Sequence, residues 1–272
     1  MRRLWLSVAA ILGKAALGLG LVLCPVSASS GVAQVLALNQ AQATILVSGA
    51  TKQETLQLPF HWDRANPGQQ GEAFFDFRFD LPVAPQGLWG IYLPRLGNAY
   101  EIWLNGTLLQ HGGDLTAYDG ADFARVPRYI SVDHGHFQLS NHLQIHIRAD
   151  RGRRGGLAPP VIGPEDLVYP LYSTNYHWRA TGSIAVMAFC FVVGLTALAL
   201  STAAAMRTPT DQARLDPLFI FAAVAQLFWA LYVADVLIED PPLPWPWWGV
   251  VQVVALGIWG CSMALALSLI HI

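Results

Sequence analysis

Three long stretches near the end of the chain contain no Asp, Glu, Lys or Arg: Ala180 to Met206, Pro217 to Ala234, and Pro241 to the C-terminus. A helix crossing the hydrocarbon of a bilayer needs about 20 mostly apolar residues at about 1.5 Å of rise each. The spacing therefore predicts membrane helices near residues 181–205, 217–238 and 247–269, within a membrane region 173–272. The first link, Arg207 to Arg214, holds both basic residues of this region, whereas the second, Glu239 to Pro246, is acidic and runs into Trp245, Trp247 and Trp248. Basic links stay in the cytoplasm and Trp gathers at the interface, so the first link is expected inside and the second outside.

The remaining charge is concentrated upstream. Thirteen of the 18 acidic residues and 11 of the 16 basic ones lie between Lys52 and Arg179, so the middle of a chain that is only 12% charged has the composition of a water-soluble domain. Residues 1–33 read as a signal peptide: Arg2 and Arg3, an apolar run from Leu4 to Leu23, and the small residues Ser27 and Ala28 before a cleavage point after Ala28 or Ala33. Lys14 interrupts the run, which argues against a permanent anchor. Export of the middle domain agrees with the orientation read from the links. No Cys occurs between Cys24 and Cys190, so that domain is expected to hold together by an apolar core without disulfides. A net charge of −2 leaves no electrostatic footprint for nucleic acid.

Period-2 alternation dominates residues 43–150 and predicts strands. In Ala73 to Asp80, Phe75, Phe77 and Phe79 share one face while Phe74, Asp76, Arg78 and Asp80 share the other. Leu143, Ile145 and Ile147 likewise alternate with His142, Gln144 and His146. Further strands are expected at Thr44–Val47, Leu56–Trp62, Leu88–Leu93, Tyr100–Leu104, Thr107–Gln110 and Arg128–Val132. Asn105-Gly106 between two of them suits a type I′ hairpin, whose central residues both need positive φ. About eight short strands broken by Pro and Gly indicate an all-β sandwich or jelly roll over residues 34–172, ahead of the helical membrane region.

The segment Leu93-Pro-Arg-Leu-Gly-Asn-Ala-Tyr-Glu-Ile-Trp-Leu-Asn-Gly-Thr-Leu-Leu, with the later Asn141-His-Leu-Gln-Ile-His-Ile, resembles the galactose-binding-like jelly roll. The wider arrangement, with Gly155-Gly156-Leu157 through Ile162-Gly163-Pro164 leading to a helix block, is similar to the bacterial seven-transmembrane receptors with diverse intracellular signalling modules. This resemblance covers most of residues 70–270. It implies a multi-pass protein of the bacterial inner membrane, with a periplasmic sensor domain and a cytoplasmic output of diguanylate cyclase or histidine kinase type. The sequence departs from that pattern in having three predicted membrane helices and no output domain. The ending Ser268-Leu-Ile-His-Ile272 reads as a truncation, so the chain is expected to be a receptor fragment and not itself an enzyme.

The candidate binding residues cluster after the Asn105-Gly106 hairpin. His111, Gly112, Gly113 and Asp114 open a loop rich in Gly, Asp and aromatic residues that runs through Tyr118 to Phe123, and long loops in compact domains are usually functional or mobile. Trp89, with Tyr92 and Trp103, offers stacking surface for a sugar or aromatic ligand, or else packs in the core. Asp114 and His111 have no evident structural duty at this stage. Arg151-Gly-Arg-Arg154 either binds an anion or faces headgroups or a partner domain. His142 and His146 on one strand stand about 13 Å apart, too far to share a metal. Asp114, Asp119 and Asp122 lack the dense alternation of a calcium loop. No catalytic residue, metal or other cofactor is expected. The expected partners are membrane lipid, a small molecule or periplasmic protein as ligand, and a second copy in a homodimer. The competing reading is a membrane-anchored carbohydrate-binding or carbohydrate-active protein.

Overall fold

The Phe75/Phe77/Phe79 and Leu143/Ile145/Ile147 alternations meet in one pair of strands. In a computed structural model describing residues 35–207 and 215–270, Phe75 lies opposite Ile145 and Phe77 opposite Leu143 in an antiparallel ladder. The expected signal segment and most of the first inter-helix link lie outside the described residues.

Twelve strands are present among those residues. They are β1 (Leu36–Ala37), β2 (Gln40–Val47), β3 (Ala50–Gln57), β4 (Phe60–His61), β5 (Gly71–Asp80) and β6 (Leu88–Leu93), then β7 (Ala99–Leu104), β8 (Thr107–Gly112), β9 (Arg128–Asp133), β10 (Ser140–Ala149), β11 (Gly156–Leu157) and β12 (Val161–Pro164). The order β3-β2-β5-β10-β7-β8 forms one sheet and β1-β12-β6-β9 a second, with β11-β4 as a small clasp. Phe75, Phe77, Ile145 and Ile102 of the larger sheet share one buried cluster with Ile91, Leu93, Val132 and Ile162 of the smaller. Two sheets that face each other through alternate residues make a β-sandwich.

Asn105 and Gly106 take φ of +50° and +83° between β7 and β8, as the hairpin requires. Ser48 and Gly49 (φ +52° and +80°) do the same between β2 and β3, which the sequence reading did not anticipate. The strand expected over Leu56–Trp62 is divided. β3 ends at Gln57, β4 covers only Phe60–His61, and Trp62 opens the short helix α1 (Trp62–Ala65), its buried indole donating to the Gln69 carbonyl at 2.9 Å.

After β12 the chain stays helical. Helix α2 (Glu165–Tyr176) passes through a wide π turn at His177–Thr181 into α3 (Gly182–Arg207), so the passage from the sandwich into the first apolar helix is helical throughout. Asp216 caps α4 (Pro217–Ala234) by accepting from the Leu218 N–H at 2.9 Å, and Pro217 occupies the first turn, where its missing N–H costs nothing. A 3₁₀ turn, Asp235–Leu237, follows, and α5 (Trp247–Ile270) completes the described chain. Three helical stretches, Glu165–Met206, Pro217–Leu237 and Trp247–Ile270, are long and apolar enough to cross a membrane. α3 packs on α4 and α4 on α5. A side chain on Gly194 would meet Leu227 at 3.0 Å, so glycine there lets α3 and α4 approach.

Candidate functional site

Strand alternation that sends Phe75, Ile145 and Ile102 inward turns their neighbours outward, and the register aligns those neighbours into rows. Across β2, β5, β10, β7 and β8, one row reads Thr44, Phe74, His146, Glu101, His111. The next reads Gln42, Asp76, Gln144, Trp103. The His146 ring stacks on Phe74 with centroids 3.8 Å apart and 16° between planes, and its Nε2 meets Glu72 at 3.0 Å. Asp76 Oδ1 accepts from the Gln144 amide at 2.9 Å and lies 2.8 Å from His142 Nε2. The Trp103 indole donates to Glu101 at 3.2 Å. A cleft of about 360 Å³ opens over this surface. Flat apolar rings beside carboxylate and amide groups suit a ligand with an apolar face and hydroxyls at its edge.

Arg148 is the next outward residue of β10 after His146, yet it is fully buried. The chain between β8 and β9 folds over it. Its guanidinium donates to the carbonyls of Asp114 and Ala117, to Ala121 O at 3.2 Å, and to Asp150 Oδ2 at 3.1 Å. A buried charge is tolerated only when paired and hydrogen-bonded, and these acceptors supply that. Burial pushes the Asp150 carboxyl up, against the pull of Arg148 and Arg153. Asn98 holds both sides, its amide donating to Asp122 at 2.8 Å and its oxygen accepting the Asp150 N–H at 2.9 Å.

The loop residues singled out from sequence have definite places. Asp114 Oδ1 accepts from the N–H and hydroxyl of Thr116 at 2.8 and 2.7 Å, which holds its carboxyl below the ordinary value and gives it the structural duty the sequence did not reveal. Gly112 lies against Tyr100, where a Cβ would come within 2.5 Å of the ring, and Gly113 has φ +72°. His111 is exposed on β8 opposite Glu101. The Tyr118 hydroxyl donates to Glu72 at 3.4 Å, and the Arg148 guanidinium lies 5.7 Å from its ring centre. Trp89 is buried and packs on Phe137 at 5.3 Å, so it is a core residue and offers no ligand surface. Phe74, Asp76, Gln144 and His146 were not among the expected binding residues, although their shared strand face was legible.

The same loop joins the sandwich to the helices. The Asp122 N–H donates to Glu239 O at 2.7 Å and the Trp245 N–H to Asp119 O at 3.0 Å. Arg125 pairs with Asp122 at 2.8 Å and also with Asp235 after α4, and Arg128 reaches Glu239 at 2.5 Å. The Trp245 indole donates to Arg151 O at 2.9 Å, and that of Trp248 to Asp235 at 2.6 Å. The connection between α4 and α5 therefore lies on the sandwich side of the helices. On the smaller sheet, α2 is seated through Tyr129, Tyr169 and Tyr172, with ring centres 5.3 to 6.0 Å apart. Burial and the Glu165 carboxylate raise the Tyr129 hydroxyl pKa above its ordinary value.

No protein-family model matches this chain, and no curated protein is significantly similar to it. Solved glycosidases match in structure. The FMN-binding β-glucuronidase from Faecalibacterium prausnitzii L2-6 is 17% identical with a TM-score of 0.37, over 48% of this chain and 23% of that one. The GH2 β-galacturonidase from Eisenbergiella tayi bound to glycerol is 11% identical (TM-score 0.37; 48% and 24%). The β-glucuronidase from Ruminococcus gnavus in complex with uronic deoxynojirimycin is 10% identical (TM-score 0.37; 48% and 29%). The matches thus span about a quarter of each enzyme chain, and likeness of this extent says nothing about catalysis here.

Proposed function

We propose that this chain is the ligand-receiving and membrane part of a bacterial receptor, in which a galactose-binding-like jelly roll takes a carbohydrate on its six-stranded face and passes the event to membrane helices. The observation that carries this reading is a continuous run of contacts. His146 on the ligand face meets Glu72, Glu72 accepts from Tyr118, and the Tyr118 loop is hydrogen-bonded through Asp119 and Asp122 to Trp245 and Glu239 beside the helices. A ligand that displaces His146 or Glu72 changes what holds Tyr118, and a loop with two arrangements then biases the helix packing. A cytoplasmic output domain of diguanylate cyclase or histidine kinase type, on a longer chain in the inner membrane, belongs to the same proposal.

The aromatic and carboxylate face also favours a second reading, a membrane-anchored carbohydrate-binding protein without signalling. One experiment separates them. The chain in lipid nanodiscs is titrated with a panel of hexoses, hexuronic acids and their disaccharides, while amide exchange is followed at residues 119–122 and 239–245. Saturable binding that is lost in Phe74→Ala and Trp103→Ala, with changed exchange at both segments, supports the receptor. Binding without any change at 239–245 supports the simple binder, and no saturable binding to any sugar removes both.

A further inference from the structure

Beneath the loop, where the sandwich meets the helices, lies a second cleft of about 530 Å³. Five guanidinium groups, those of Arg95, Arg125, Arg153, Arg154 and Arg179, line it together with one carboxylate, Asp122. Of the carboxylates nearby, Asp63 forms no ion pair among the described residues and the others are engaged. Asp122 and Asp235 pair with Arg125, Asp150 is shared by Arg148 and Arg153, and Glu239 pairs with Arg128. Among the described residues, Arg95, Arg154 and Arg179 form no ion pair, and Arg179 reaches only the Pro94 carbonyl, at 3.4 Å. The Arg95 guanidinium is held below its ordinary pKa by burial and then by Arg179 and Arg154, with Asp63 acting against them.

Arg153 gives a second, independent observation. It is 4% exposed, and its Nη1 donates to Gly120 O, Ala121 O and Asp150. Its Nε and Nη2 have no hydrogen-bond partner among the described residues, and the guanidinium lies 5.1 Å from the Trp245 ring centre. With Asp150 shared between Arg148 and Arg153, this wall keeps an excess of positive charge, which an anion within the cleft would balance. Phosphate suits this role because its oxygens accept the paired N–H groups of arginine in a fork. The cleft also sits at the sandwich end of the apolar helices. Ser183 near the start of α3 and Val236 after α4 form its membrane side, and Trp178, 81% exposed, and Trp245 flank it as aromatic side chains do at a bilayer interface.

We propose that the arginine-lined cleft between the sandwich and the membrane helices binds a phosphate-bearing anion. Two sources share this chemistry, the headgroup of an anionic phospholipid and free phosphate. The site stands independently of the carbohydrate reading, because none of its residues belongs to the six-stranded face.

The test uses the full chain, stripped of lipid in detergent, with tryptophan fluorescence as the readout. It is titrated separately with dihexanoyl phosphatidylglycerol, dihexanoyl phosphatidylcholine and inorganic phosphate. Phosphatidylglycerol is expected to bind saturably, about tenfold or more tighter than phosphatidylcholine, and Arg154→Gln or Arg95→Gln to weaken it by about tenfold, as loss of one charge-assisted hydrogen bond predicts. Arg154 is exposed and unpaired, so Arg154→Gln leaves the fold intact, and Arg154→Lys should weaken binding less than Arg154→Gln. Saturable binding of inorganic phosphate with the same sensitivity to the variants supports the site and assigns it to the soluble ion. Equal, variant-insensitive binding of both lipids, with no phosphate binding, overturns the proposal.

Discussion

The backbone N–H of Trp245, at the mouth of α5, donates to the carbonyl of Asp119 at 3.0 Å, across 126 residues of sequence. Asp119 itself has φ +64°, in the left-handed region that a non-glycine residue enters only when its surroundings hold it there. The loop over the six-stranded sheet is therefore tied through its backbone to the connection between α4 and α5.

Replacing Arg148 by Met removes the donor to three loop carbonyls and leaves Asp150 with Arg153 alone. Breaking a buried, hydrogen-bonded charge in this way costs about 3–5 kcal/mol. Amide exchange over residues 114–121 should rise and the thermal midpoint of the sandwich should fall. Unchanged protection of that loop in Arg148→Met would show that the guanidinium does not hold it.

Arg125→Ala should act locally. It removes the bridge from Asp122 to Asp235, worth about 1–3 kcal/mol for hydrogen bonds to charged groups. The expected result is faster exchange at 239–245 with little change in β5 and β10. Equal loosening of the strands would mean that the seam and the core are one cooperative unit.

Phe75 and Phe74 are neighbours with opposite fates. Phe75 is fully buried, so Phe75→Asp places an unpaired carboxylate in the core and costs several kcal/mol, comparable with the whole stability of a domain. Phe74 is 38% exposed and stacks on His146, so Phe74→Asp should cost only about 1 kcal/mol. Chemical denaturation of the two variants checks the register, and similar losses would contradict it.

That register was legible in the sequence because each strand of the β5–β10 pair buries only one face, so side-chain polarity records it directly. The Asn105-Gly106 hairpin was legible through its φ requirement. β3 was not, because Thr51, Lys52, Gln53 and Glu54 form an edge strand with little to bury and thus no alternation to read. Arg148 escaped for the opposite reason. It follows His146 on the outward face, where an arginine reads as solvated, and only the folded loop covers it. The rows on the six-stranded face were half visible, since alternation placed Phe74 among polar residues but could not supply the cross-strand partners. The seam joins loop and helix residues 94 or more positions apart, and nothing local announces it.

Acid should loosen the loop at one defined point. Thr116 holds the Asp114 carboxyl below its ordinary value, so the unfolded loop takes up a proton before the folded one does as pH falls. The Asp114 contribution is complete above the ordinary carboxylate value and is lost as pH drops through the lowered one. Protection of the Thr116 amide, corrected for its intrinsic rate, should decline as pH falls below the ordinary carboxylate value of about 4. The decline should be absent in Asp114→Asn, and its persistence there would assign it elsewhere.

A reporter fused after Arg207 should behave as cytoplasmic and one fused after Pro242 as periplasmic, since the latter segment lies on the sandwich side. Alkaline phosphatase activity at the Arg207 fusion would reverse the orientation.

The unbroken path from α2 through the wide turn at His177–Thr181 into α3 makes the junction a shaft. Because each α-helical residue advances about 100° around the axis, gaining or losing the one extra residue of that turn would swing every side chain of α3 by about that angle relative to α2. The tyrosines seated on the smaller sheet hold one end of the shaft and α4 grips the other. A twist between the sheet-held end and α3 would be taken up at this turn.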